Sequence, residues 1–211
     1  MSNERALFWN VDTQEDFIAH SGKLYVQGAD QIRPMLEKIT FFAKAQGIRV
    51  VNTCDYHHDN SHEISSEPDY MTSFPPHCMA GTPGADFISE TMPESPLVIE
   101  WETETDILGK LEKLKGFRNI VIRKDAFDVF AGNPHTEKIV QLLDPEQVFV
   151  YGVTTNVCVD KAVMGLSELG IRVYVFKDAI RELPGLSLPF DTWKTRGIDL
   201  ISFSEVYKYL G

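Results

Sequence analysis

Cys158 stands in the run Tyr151-Gly-Val-Thr-Thr-Asn-Val-Cys-Val159, a turn leading from an apolar strand into a helix. A thiol at a helix N-terminus feels the positive end of the helix dipole and unpaired N–H groups, which lower its pKa. The same N–H groups can hold the oxyanion that forms when a carbonyl is attacked. Taken alone, a cysteine in an apolar helix is a small core residue. Its company changes that reading. Asp12 could hold or move a proton beside the thiol, and Lys124 could stabilise a thiolate or a developing charge. Either one by itself would be an ordinary turn or strand-end charge. An acid, a cation and a nucleophile together are the set that covalent acyl transfer needs.

A second group has the chemistry of a metal site. Asp55-Tyr-His57 places a carboxylate and an imidazole two residues apart. In an extended segment such residues point to the same side, so both can reach one ion. His77 could be a third ligand, leaving positions open for water or substrate as catalytic sites do. Mixed imidazole and carboxylate ligands suit zinc, iron or manganese. His62 is a possible fourth ligand, His20, His58 and His135 are expected on the surface, and Cys78 is expected to be buried. Phe17 and Phe74 could form the walls of a flat aromatic pocket, or simply pack their loops.

The elements that must position these groups follow from periodicity. Arg5–Val11, Ile48–Thr53, Asn119–Arg123, Gln147–Tyr151, Arg172–Phe176 and Asp199–Phe203 are rich in Val, Ile and aromatics and read as strands, with Leu97–Glu100 a short strand candidate. Helices are expected from Asp30 as cap through Gln46, from about Glu104 to Lys115, over His135–Leu143 and Asn156–Leu169, near Thr192, and from Ser204 onward. This alternation predicts an α/β fold, a mostly parallel six-stranded sheet with helices on both faces. Ligands bind outside the carboxyl ends of the strands of such a sheet. Asp12, Asp55, His57, Lys124 and Cys158 all follow strands, so four separate pieces of chain deliver reactive groups to one edge. Residues 54–93 have no sustained period but carry four histidines, and a stretch that long is usually functional or disordered.

Composition limits the alternatives. The 211 residues suit one α/β domain, 1–211, with no repeat or linker. A net charge of −11 argues against nucleic acid and anionic membranes as partners. Apolar runs such as Val148–Val150 are strand-sized and none is long enough to span a bilayer. Residues 1–5 show no secretory signal, and three cysteines outside any C-x-x-C pattern fit free thiols in a reducing cytoplasm.

Four blocks resemble the isochorismatase-like cysteine hydrolases, most closely their nicotinamidase/pyrazinamidase branch. They are Val11-Asp-Thr-Gln-Glu-Asp-Phe17, Asp55-Tyr-His57, the specific segment Phe74-Pro-Pro-His-Cys-Met-Ala-Gly-Thr-Pro-Gly-Ala-Asp-Phe87, and Gly152-Val-Thr-Thr-Asn-Val-Cys-Val159. The resemblance spans nearly the whole chain and implies a doubly wound sheet with the site at its switch point. It implies Asp12, Lys124 and Cys158 as catalytic residues, and Asp55, His57 and His77 as ligands of a divalent metal, zinc first. It implies a cis Val153–Thr154 peptide, an oxyanion hole from the Thr154 and Cys158 N–H groups, and substrate contacts from Phe17, Phe74 and Val153. The implied activity is hydrolysis of nicotinamide to nicotinate and ammonia through a Cys158 thioester, in a homo-oligomer. Another small amide or a ureido or carbamoyl substrate is the alternative, followed by isochorismatase-type ether hydrolysis and a non-catalytic relative. Phe74 stands where relatives usually have Trp, and His62 does not match their extra histidine in spacing. The 88–116 segment is longer than in compact relatives and is expected to form a lid or an oligomer contact.

Overall fold

The computed structural model describes residues 5–102 and 106–210. Seven strands run in chain order: β1 Ala6–Val11, β2 Arg49–Asp55, β3 Leu97–Ile99, β4 Asn119–Lys124, β5 Gln147–Val153, β6 Arg172–Arg181 and β7 Asp199–Ile201. All pair in parallel in the order β3-β4-β2-β1-β5-β6-β7. The sheet therefore has one strand more than the six expected, because the short candidate Leu97–Ile99 joins β4 as the edge strand β3. β2 also runs two residues beyond Thr53, since Cys54 and Asp55 keep register with Arg123 and Lys124.

Every residue of β1 is buried, as befits a central strand covered on both faces. The helices are α1 Glu15–Ile18, α2 Arg33–Ala45, α3 Ile107–Lys113, α4 Val129–Gly132, α5 Thr136–Leu143, α6 Cys158–Glu168 and α7 Phe190–Thr195. α2 and the C-terminal segment close one face, where Phe8, Ile39, Phe149 and Val206 share a core. α3 to α7 close the other, around Trp9, Ile122, Val163 and Trp193. None of the helices among the described residues is long and apolar enough to cross a membrane.

Three helix boundaries differ from expectation. α2 begins at Arg33 after a 3-10 turn over Ala29–Ile32, because the Asp30 carboxylate is taken up by the Tyr25 hydroxyl and His20 and caps nothing. The expected start at Glu104 lies outside the described residues, and the helix is seen from Ile107. The closing segment Phe203–Lys208 is 3-10, held by a Ser202–Glu205 capping box. The 88–116 segment supplies β3 and α3 at the sheet edge.

Winding reverses between β1 and β5, which opens a crevice at their carboxyl ends. The two strands approach closely there. Gly152 has φ +120°, and a Cβ on it would lie 2.0 Å from the Val11 carbonyl oxygen. Gly152→Ala is therefore expected to cost at least about 2–3 kcal/mol, read as a lower denaturant midpoint at unchanged slope.

Candidate active site

β1, β2, β4 and β5 are neighbours, so the residues at their carboxyl ends converge. Asp12 leaves β1 with a left-handed backbone, φ 48°, a conformation that Asp tolerates better than most residues. Its carboxyl group is fully buried, and Oδ1 accepts a 2.6 Å hydrogen bond from the Thr53 hydroxyl. Asp55 and Lys124 are directly paired in register on β2 and β4. The Lys124 ammonium donates to Asp55 Oδ1 and to the Ala126 carbonyl, and lies 3.0 Å from Asp12 Oδ2. That last contact is an ion pair without hydrogen-bond geometry, since Asp12 Oδ2 has no hydrogen-bond partner among the described residues. One buried cation thus sits between two buried carboxylates.

Electrostatics fix the protonation states. Burial disfavours the Lys124 charge, yet Asp12 and Asp55 outweigh it and hold the ammonium well above the ordinary lysine range. Burial also opposes ionisation of Asp55, but Lys124 and the two nearby imidazoles keep it well below the usual carboxylate value. Asp12 is raised, chiefly by burial and then by Asp55, with Lys124 pulling the other way.

Cys158 opens α6, and its sulfur lies within 4.8 Å of the Asp12 and Asp55 carboxylates. The expectation of a low thiol pKa is overturned. Burial pushes the Cys158 thiol well above its ordinary range, Lys124 only partly offsets this, and the charges of the neighbouring Asp12 and Asp55 carboxylates add to the rise. The helix terminus is one weak field against complete burial and two carboxylates. The resting group is a thiol, with the Asp12 carboxyl group within 4.8 Å of its sulfur. The Val153–Thr154 peptide is cis, and the N–H groups of Thr154 and Cys158 have no backbone acceptor among the described residues. Two donors beside the sulfur are the equipment of an oxyanion hole.

Asp55 Oδ2 lies 3.9 Å from His57 Nε2 and 3.8 Å from His77 Nε2, with all three side chains buried. His57 Nε2 has no hydrogen-bond partner among the described residues, an orphaned nitrogen that a cation would satisfy. The other ring nitrogens are engaged: His57 Nδ1 is 2.9 Å from Asp125 Oδ1, and His77 Nδ1 is 2.8 Å from the Pro75 carbonyl. Such partners hold the proton on Nδ1 and aim the Nε2 lone pair inward. The donor set fits a divalent metal.

His62 is not among these groups. It is exposed, while its neighbours Ser61 and Glu63 are buried and face inward. Ser61 donates to Asp125, and Glu63 Oε1 accepts from the Phe127 N–H at 2.8 Å. Those two anchors set the phase of the loop and leave His62 outside. His20 is exposed as expected; His58 and His135 are half-buried and stand apart from the cluster, His58 against Trp101. The three cysteines are free and buried.

A narrow cleft leads to the sulfur. Phe17 and Phe74 line it, their rings 5.4 Å and 6.0 Å from that of His77. Thr154, Val157 and Cys158 line it too, but Val153 does not. Strand alternation turns the Val153 side chain into the core under α2. Sequence reasoning missed Glu63, Phe127 and Leu183, which also line the cleft, and Asp125, which orients His57. Burial raises the Glu63 carboxyl above its ordinary value, with Asp55 adding to the rise. No described residue of the 88–116 segment lines the cleft.

A model of the isochorismatase domain matches residues 6–187. The nicotinamidase/pyrazinamidase of Mycobacterium tuberculosis is 42% identical over 78 residues, a stretch covering 36% of this chain and 40% of that protein. The structure is similar to the pyrazinamidase of Pyrococcus horikoshii in complex with zinc, with TM-score 0.74 and 25% identity over 94% of this chain and 99% of that one. It is also similar in fold to the N-carbamoylsarcosine amidase of Thermoplasma acidophilum, with TM-score 0.70 and 18% identity over 94% and 96% of the two chains. The fold thus carries more than one chemistry, and the side chains must decide.

Proposed function

The chain belongs to the isochorismatase family, and on that premise we propose that it is a metal-containing cysteine amidohydrolase that cleaves nicotinamide to nicotinate and ammonia. The observation that carries the reading is the meeting of two groups over one cleft. Asp12, Lys124 and Cys158 stand beside Asp55, His57 and His77, and Cys158, Asp55 and His77 line the cleft together with Phe17 and Phe74.

In the proposed path, the Cys158 proton passes to Asp12 as the sulfur adds to the amide carbon. The carbonyl electron pair moves to oxygen, where the N–H groups of Thr154 and Cys158 receive it. The adduct collapses with rupture of the C–N bond, Asp12 gives its proton to the leaving nitrogen, and ammonia departs from a thioester. Water then gives a proton to Asp12 and adds to the thioester carbon. Collapse of that adduct expels the Cys158 sulfur, which recovers its proton from Asp12 and frees the acid. Lys124 remains an ammonium throughout and keeps Asp12 able to ionise in a buried site.

Asp55, His57 and His77 would hold the divalent metal, for which the zinc of the similar Pyrococcus horikoshii enzyme supports zinc. Bound there, a metal supplies a Lewis acid for the ring nitrogen and so orients the carboxamide. Asp125→Asn leaves the Nδ1 proton of His57 less firmly held, and metal affinity is expected to fall about 10–100-fold with little change in folding. Chelator competition followed by metal analysis reads that directly.

The substrate reading is tested by comparing kcat/KM for nicotinamide, benzamide and an N-carbamoyl amino acid. Nicotinamide should exceed benzamide by at least about tenfold, since an unpaired site for the ring nitrogen penalises its absence. Preference for the carbamoyl compound would move the protein to the ureido and carbamoyl hydrolases. Equal use of benzamide would remove the metal from substrate recognition.

A further inference from the structure

The turn that carries the nucleophile also holds a second part of the cleft wall, Leu183. Thr155 and Asn156 lie between Thr154 and α6, and both reach to the segment that follows β6. The Thr155 N–H donates to the Arg181 carbonyl at 2.8 Å. The half-buried Asn156 side chain makes three further bonds. Its Nδ2 donates to the carbonyls of Leu183, at 2.9 Å, and Leu186, at 3.3 Å, while its Oδ1 accepts from the Leu183 N–H at 2.9 Å.

Residues 182–189 belong to no helix or strand. Leu183 lines the cleft, whereas Leu186 and Leu188 stand on the outer surface of the same loop, 40% and 45% exposed. A loop with little buried apolar surface is held by its hydrogen bonds, and such segments open at low free-energy cost when those bonds are lost. Here one side chain satisfies both strands of the loop at once. An amide can do this because it offers two N–H donors and an acceptor; a carboxylate in its place has no donor to give and would face two carbonyl oxygens.

We propose that Asn156 is a positioning residue that fixes how closely the Leu183 wall approaches Cys158, and thereby sizes the cleft for a flat single-ring amide. The inference rests on the cleft being the substrate site of the proposed amidohydrolase. Asn156 touches neither the reacting atoms nor the metal ligands in this account. It acts through Leu183, and the loss of its bonds should widen the cleft before it damages the chemistry.

Two measurements test this. In hydrogen exchange, Asn156→Ala and Asn156→Asp are each expected to speed exchange of the amides of residues 183–188 by at least about tenfold, with the sheet and α6 unchanged. In kinetics, the ratio of kcat/KM for nicotinamide to that for a bicyclic quinoline carboxamide should fall by about tenfold in Asn156→Ala. Leu183→Ala should reproduce that fall, and the double variant should add little to either single change, because both act on one wall. Unchanged exchange at 183–188 would overturn the proposal. So would an equal loss on both amides, the mark of a merely destabilised enzyme, or fully additive effects. Should the wild type hydrolyse neither amide, the substrate reading falls, and the exchange measurement still decides whether Asn156 holds the loop.

Discussion

Replacing Cys158 by alanine is expected to lower kcat for amide hydrolysis on the order of 10⁴–10⁶-fold while leaving fold and metal content intact. The change removes one sulfur atom from a side chain with no hydrogen bond to the backbone among the described residues, so the α6 terminus has no reason to shift. What remains in the variant is Asp12, the two N–H groups and the metal ligands. These could still polarise an amide and position water, and oxyanion stabilisation with binding alone leaves a small residual rate. Circular dichroism, metal analysis and ammonia release on the same preparation separate loss of chemistry from loss of structure. Activity within about tenfold of wild type would mean that water attacks directly and that Cys158 is a packing residue.

Lys124→Met is expected to act on stability as well as rate. It leaves Asp12 and Asp55, both at most 2% exposed, without the cation that separates them. Removing one partner from a buried ionic group typically costs about 3–5 kcal/mol, and the metal-free protein should show that loss in denaturant unfolding at neutral pH. The pH dependence has a definite sign. In the wild type, Asp55 is depressed on folding, so its contribution is present above the unfolded pKa and lost as pH falls through the folded one. Without Lys124 the two carboxylates are raised on folding, and protonating them relieves the repulsion. The gap between variant and wild type should therefore narrow as the pH is lowered. A gap that is constant with pH would show that Lys124 stabilises by packing and not by charge.

Much of this site is visible in the sequence because a parallel sheet sorts residues by strand end. Asp12, Asp55, Lys124 and Cys158 each follow an apolar run, and that placement alone gathers them at one edge. The sheet was legible for the same reason, both short edge strands included, although three-residue strands such as Leu97–Ile99 depend on a neighbour for their pairing. Residues 54–93 carry no period, so nothing local says that Ser61 and Glu63 turn inward and His62 outward. Asp125 and the Phe127 N–H decide it, from more than sixty positions away. Asp125, Phe127 and Leu183 are ordinary residues in loops, and only tertiary structure brings them to the cleft. The Cys158 thiol shows the same limit in electrostatic form. A helix terminus can be read from the chain, but burial beside Asp12 cannot, and burial sets the direction.

The most direct test of the account is ammonia release from nicotinamide by the metal-replete, folded protein, with nicotinate measured in the same reaction. The account predicts equal amounts of both products, formed catalytically over many turnovers. No ammonia from nicotinamide, with the metal bound and the fold intact, would contradict it.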